Sequence, residues 1–127
     1  MFAWGAREAI LDGNVKRVLC RHAGIAGFPG ERTVEARLWS LAEELLPARG
    51  IESYTQGLMD LGATLCTRSG ADCAACPLRK DCHAANTDSV RAFPAPRPRS
   101  VLAQRSTAML VLLHNGEVML EKRPPSG

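Results

Sequence analysis

The sequence predicts a mainly α-helical body, then a basic proline-rich linker, then the first β-hairpin of an α+β module. Three observations carry that reading. Apolar residues recur at helical spacing in three stretches between residues 14 and 65. Residues 91–105, RAFPAPRPRSVLAQR, hold three prolines and four arginines and no acidic residue. Past them, two apolar runs flank Asn115-Gly116, a dipeptide suited to a two-residue hairpin turn. The helical body is therefore placed at residues 1–88, the linker at 89–104 and the start of the β-containing module at 105–127.

The elements follow in chain order. Met1-Phe2-Ala3-Trp4-Gly5 looks like a helix entered in its middle. Val15, Val18, Leu19 and His22 fall on one helical face, predicting a helix over 14–22, with Asp12 or Asn14 available to cap it. Gly24, Gly27, Pro29 and Gly30 mark a loop. Val34, Leu38, Leu41 and Leu45 predict a helix over 33–46, with Thr33 as cap and Pro47 as stop. Tyr54, Leu58, Leu61 and Leu65 predict a third helix over 53–65, running into Cys66. Pro77 suits the first turn of a short helix ending near Cys82. The arginine- and proline-rich stretch cannot bury much and reads as extended linker. The apolar runs Thr107–Leu113 and Val118–Leu120 then read as two strands.

The chain has 127 residues and a net charge of +3, enough for one modest domain. Its apolar runs are all far shorter than a membrane span, and its first residues lack signal-peptide architecture, so the expected compartment is the cytosol. Five cysteines are present, Cys20 and four within Cys66–Cys82. In a reducing compartment that pattern argues against a disulfide framework and for a metal site. Cys20 lies outside the group and reads as a small buried apolar residue.

The stretch CTRSGADCAACPLRKDC spaces its cysteines as C-x6-C-x2-C-x5-C. A tetrahedral zinc site usually pairs two short knuckles, and only Cys73–Cys76 makes one. A [4Fe–4S] cluster spreads its four thiolates over a larger body, which suits the unequal gaps. Spacing alone tilts toward iron–sulfur and leaves zinc open.

LDGNVKRVL (Leu11–Leu19), FPGERTVEARLWSLAEELLP (Phe28–Pro47), MDLGATLCTRS (Met59–Ser69) and CPLRKDC (Cys76–Cys82) stand in this order. Together they resemble the MutY-type adenine DNA glycosylases of the helix-hairpin-helix superfamily. The resemblance covers essentially the whole chain. It implies a [4Fe–4S] cluster held by Cys66, Cys73, Cys76 and Cys82. It implies that Asp12 is the catalytic carboxylate, with Asn14 supporting it, where otherwise both would read as ordinary capping residues. It further implies base-excision repair: a base flipped from duplex DNA carrying an A:8-oxoguanine or A:G mismatch, and its N-glycosidic bond hydrolysed. Gly13, Lys16 and Arg17 at the first helix, and Thr67, Arg68 and Ser69 on the cluster loop, are the expected DNA contacts. Arg21 lies on the same basic side of that helix. Residues 105–127 resemble the opening of the family's Nudix-like domain. The expected setting is a monomer acting on DNA in the bacterial cytoplasm, at the nucleoid.

The resemblance also implies elements upstream of Asp12, a helix-hairpin-helix and a glutamate that protonates the leaving base. The chain is accordingly expected to be a fragment without appreciable activity alone, since general acid catalysis often contributes about 10²–10⁴-fold. Three rivals remain: an endonuclease III-type glycosylase/lyase, whose chains end soon after the cysteines; a non-enzymatic zinc-stapled DNA-binding module; and an iron–sulfur electron carrier.

Overall fold

A computed structural model of the chain describes residues 7–99, 104–122 and 124–125. The abrupt helix entry expected at Met1-Phe2-Ala3-Trp4-Gly5, residues 100–103 of the linker, and residues 123, 126 and 127 lie outside them. The described residues are mainly helical: α1 (Gly13–Ala23), α2 (Arg32–Glu44), α3 (Ile51–Thr64), a 3-10 turn (Arg79–Asp81), α4 (His83–Asn86), and an antiparallel pair, β1 (Leu113–His114) and β2 (Glu117–Val118). No described helix is long and apolar enough to cross a membrane.

α1 is the centre of the body, packing against α2, α3 and α4. Asp12 starts it as the N-cap, its Oδ1 accepting from the Val15 N–H at 2.7 Å. Gly24 ends it in the left-handed conformation (φ 65°), where a β-carbon would meet the His83 ring at 2.5 Å. Val15, Val18, Leu19 and Cys20 are buried along its inner face, joined by Ile25, Val34, Leu38 and Ala42. Cys20 is fully buried, as its sequence context suggests. Burial pushes its thiol pKa up, and Lys16 offsets this only in part. Native protein is expected to leave Cys20 unalkylated by a thiol reagent that modifies it in denaturant, read by peptide mass mapping.

α2 buries Val34, Leu38 and Ala42, while Leu45 is exposed. Thr33 does not cap it. The helix begins one residue earlier, Glu31 occupies the cap position without a side-chain bond, and the Thr33 hydroxyl reaches only the Glu31 carboxylate. α2 ends at Glu44, three residues before Pro47.

α3 differs more from its sequence pattern. Its buried positions are Thr55 and Gly62, with Tyr54, Leu58, Leu61 and Leu65 only half-buried. The buried line is rotated because α3 approaches α1 closely at Gly62. A β-carbon on Gly62 would stand 2.7 Å from Asn14 Cβ and 3.3 Å from the Asn14 backbone. Gly62→Ala gains at most ~1 kcal/mol of helix propensity and incurs about 1–3 kcal/mol of overpacking. The obstruction is the root of a side chain on a packed helix, so the clash should win. The expected result is a lower urea midpoint at unchanged m-value.

The stretch read as linker does not leave the body at once. The Ser89 N–H donates to Ala84 O, Ala92 to Ser89 O, and Phe93 packs on the core and edge-on against His83 at 5.8 Å. Further along, β1 and β2 pair Leu113 with Val118 and His114 with Glu117, and the Met119 N–H adds a bond to Leu112 O. Asn115 (φ 49°) and Gly116 (φ 80°) form the turn, both left-handed as a type I′ hairpin demands. The hairpin and its flanks are exposed, Leu110 at 83% and Leu120 at 88%.

Candidate functional site

Two groups of side chains meet at opposite ends of α1. At its N-terminus, Asp12 is exposed with one carboxylate oxygen engaged in the cap. Its Oδ2 takes no hydrogen bond from the described residues. Nothing lies within 4 Å of a β-carbon built on Gly13, so the ground in front of this helix start is open. Asn14 Oδ1 accepts from Arg17 Nη2 at 2.8 Å, which fixes the amide with its oxygen turned inward. Lys16 is half-buried and ion-paired with Glu35 of α2.

At the other end lie the cysteines. α3 terminates with the Cys66 N–H bonded to Leu61 O at 2.7 Å, and the Asp72 N–H returns to Leu65 O at 2.9 Å. These bonds close residues 66–72 into a loop pinned at both ends. Within it the Gly70 N–H donates to Thr67 Oγ1, while Arg68 and Ser69 point to solvent. Asp72 Oδ1 accepts from the Ala74 and Ala75 N–H groups, ordering the turn between Cys73 and Cys76. The 3-10 turn brings Cys82 back through its N–H bond to Arg79 O.

All four half-buried thiols, Cys66, Cys73, Cys76 and Cys82, line one narrow pocket of about 20 Å³. Its other walls include Leu65, Ala71 and Ala85. The thiols do not converge on a point: among the described residues no three ligating side chains are close enough to grip a single ion. Burial pushes the Cys73 thiol up, its three sister cysteines push it further, and Arg21 draws it down.

Two arginines of α1 hold this loop. Arg17 Nε donates to Cys66 O at 2.8 Å and its Nη2 to Gly62 O at 2.7 Å, covering carbonyls at the C-terminus of α3 where a cation is favoured. Arg21 is 4% exposed. Its Nη1 donates to Thr67 O (2.7 Å) and Cys66 Sγ (3.3 Å), its Nη2 to Arg68 O (3.4 Å), and its Nε to Phe93 O (2.9 Å) and Val90 O (3.2 Å). Cys82 Sγ in turn approaches Arg21 O at 3.5 Å. Arg21 is thus not on a solvated basic side; the cluster loop and residues 90–93 close over it. A buried cation needs an anionic counterpart. The salt bridge among the described residues joins Lys16 to Glu35, so Arg21 has no carboxylate partner there, and Cys66 Sγ accepts from it at 3.3 Å. Four thiols lining one pocket, with a buried guanidinium against one of them, are a donor set of the kind that metal centres use.

This helical body with its braced cysteine loop is similar to part of a solved DNA glycosylase. It superposes on a thermostable thymine-DNA glycosylase with a TM-score of 0.54 and 30% identity, over 67% of this chain and 39% of that one. The sequence is more particular: the chain is related to the adenine DNA glycosylases. It is 34% identical over 113 residues to that of Buchnera aphidicola from Acyrthosiphon pisum, covering 89% of this chain and 32% of the relative. It is 34% identical over 139 residues to that of Arabidopsis thaliana, covering 98% and 22%, and 39% identical over 82 residues to that of Homo sapiens, covering 65% and 15%. The chain therefore spans about a third of the Buchnera relative and less of the other two. No family model matches it.

Proposed function

We propose that this chain is the part of an adenine DNA glycosylase that supplies the catalytic carboxylate and the iron–sulfur brace, for removal of adenine opposite 8-oxoguanine or guanine in duplex DNA. The observation carrying the proposal is the placement of both groups on α1. Asp12 stands open at one end, and Arg21 binds the cysteine loop at the other. Asp12 holds a negative charge where the sugar becomes cationic as the N-glycosidic bond breaks. It stabilises that oxocarbenium-like species or captures it briefly, as carboxylates do in glycoside hydrolysis. Asn14, held through Arg17, supports the carboxylate and its water. Cys66, Cys73, Cys76 and Cys82 hold a [4Fe–4S] cluster, whose contribution is to brace the loop that positions DNA. Gly13 and the helix start, with Thr67, Arg68 and Ser69, receive backbone phosphates. Lys16 joins them only by leaving Glu35, and Arg17 acts mainly through the donors it gives to α3.

In this reading residues 1–88 belong to the glycosylase domain, 89–104 to the connector and 105–127 to the start of a Nudix-like domain that reads the 8-oxoguanine. The Asn115-Gly116 hairpin between apolar runs supports the last assignment. The test is made on the complete protein prepared without oxygen. Iron with acid-labile sulfide, and single-turnover release of adenine from an A:8-oxoguanine duplex, are expected. Zinc in place of iron, or strand cleavage at oxidised pyrimidines in place of adenine release, would assign the segment to one of the rival classes.

A further inference from the structure

Residues 88–92 lie across a groove from the cysteine loop. This groove, about 800 Å³, has Arg68, Ser69 and Gly70 on one wall and Asp88, Ser89 and Arg91 on the other, with Arg21 at its base. Arg68 and Arg91 are exposed, and neither side chain donates to a described residue or pairs with a described carboxylate. Asp88 is the acidic group on the lining, and it makes no ion pair among the described residues. The two walls do not drift independently. One buried guanidinium donates to Thr67 O and Arg68 O on the first wall, and to Val90 O and Phe93 O beside the second. Ser89 is further held by its N–H bond to Ala84 O.

We propose that this groove seats a phosphodiester of the DNA backbone, gripped from both sides by Arg68 and Arg91. Residues 88–92 are thereby part of the DNA-binding surface rather than of a passive connector. Two guanidiniums, unpaired among the described residues and lining one groove, present planar donor forks suited to phosphate oxygens, and the Ser69 hydroxyl adds a neutral donor; the Ser89 hydroxyl is already spent on Thr87 Oγ1, whose own proton goes to His83 O. Asp88 opposes an anion, so Arg68 and Arg91 leave a net of one positive charge over the three side chains. The Arg21 brace sets the groove width before DNA arrives, which lowers the ordering cost of binding.

This inference rests on the DNA-glycosylase reading, and the test separates the two. In the complete iron-loaded protein, affinity for a duplex is measured between 50 and 200 mM salt. Removing one cation from a phosphate lowers the slope of log K against log salt by about 0.9, so the affinity falls about 3.5-fold less steeply over that range. Arg91→Gln is expected to show that reduction equally on mismatched and matched duplexes, with iron retained; Arg91→Lys should restore most of the slope. Arg68→Gln with Arg91→Gln should lower it by about twice as much. Unchanged slope and affinity in Arg91→Gln would overturn the proposal and leave the enzyme assignment standing. Loss of iron from Arg91→Gln would give Arg91 to the fold and equally overturn it. Failure of the unsubstituted protein to bind DNA would overturn both.

Discussion

Replacing Asp12 by asparagine in the complete protein is expected to slow adenine release by about 10²–10³-fold, the scale seen when a preorganised group that stabilises transition-state charge is removed. The substitution is chosen because Asp12 does two things at once. It caps α1 through its bond from the Val15 N–H, and it presents a free carboxylate oxygen. Asparagine caps helices about as well as aspartate. Stability should therefore move by only a few tenths of a kcal/mol while catalysis collapses. Asp12→Ala should lose both, with about 1 kcal/mol of stability gone as well. If Asp12→Asn turned over like the unsubstituted enzyme, the residue would be a helix cap and nothing else.

Arg21→Met should give the largest loss of stability. The side chain makes six hydrogen bonds from α1 to three separate stretches, at Cys66–Arg68, Val90 and Phe93. Methionine fills much of the volume but leaves those carbonyls without donors, and each unmatched buried acceptor costs about 1–3 kcal/mol. Some would find water, so the expected loss is about 3–5 kcal/mol, comparable with breaking a buried charge interaction. Because Cys66 Sγ would lose its donor, the proposed iron–sulfur cluster should also be shed during purification. Arg21→Lys should recover little, since an ammonium lacks the fork that spans both sides. Undiminished iron content and an unshifted unfolding midpoint in Arg21→Met would show that these bonds do not hold the loop.

The helices were legible in the sequence because they are amphipathic: Val15, Val18 and Leu19, and Val34 and Leu38, lie where their spacing puts them. Asp12 as a cap and Asn115-Gly116 as a turn were legible because each has a strong local preference that nothing distant overrides. Arg17 and Arg21 were not. A basic residue on an amphipathic helix usually faces water, and only tertiary structure brings the end of α3 and the cysteine loop against them. One signal was present: α1 contains no acidic residue, so its arginines had no partner at helical spacing and their donors had to go elsewhere. Thr55 and Gly62 escaped for a related reason. Hydropathy ranks Leu58 and Leu61 as the buried line, whereas the close approach of α3 to Asn14 needs a residue without a side chain at Gly62. The docked segment 89–93 was hidden by its own composition, since prolines and arginines read as linker until a buried donor claims the backbone carbonyls.

The bonds of Arg21 link residues 45 to 72 positions apart in the chain. Bonds of that separation form late, because the entropy of closing the intervening loop must be met before any of them is gained. The three long helices are local structures and can precede them. Assembly order is thereby constrained: the polypeptide has to wrap past residue 93 before its cysteine loop is held in place. A nascent chain released short of that point would leave the thiols of Cys66, Cys73, Cys76 and Cys82 loose and open to oxidants.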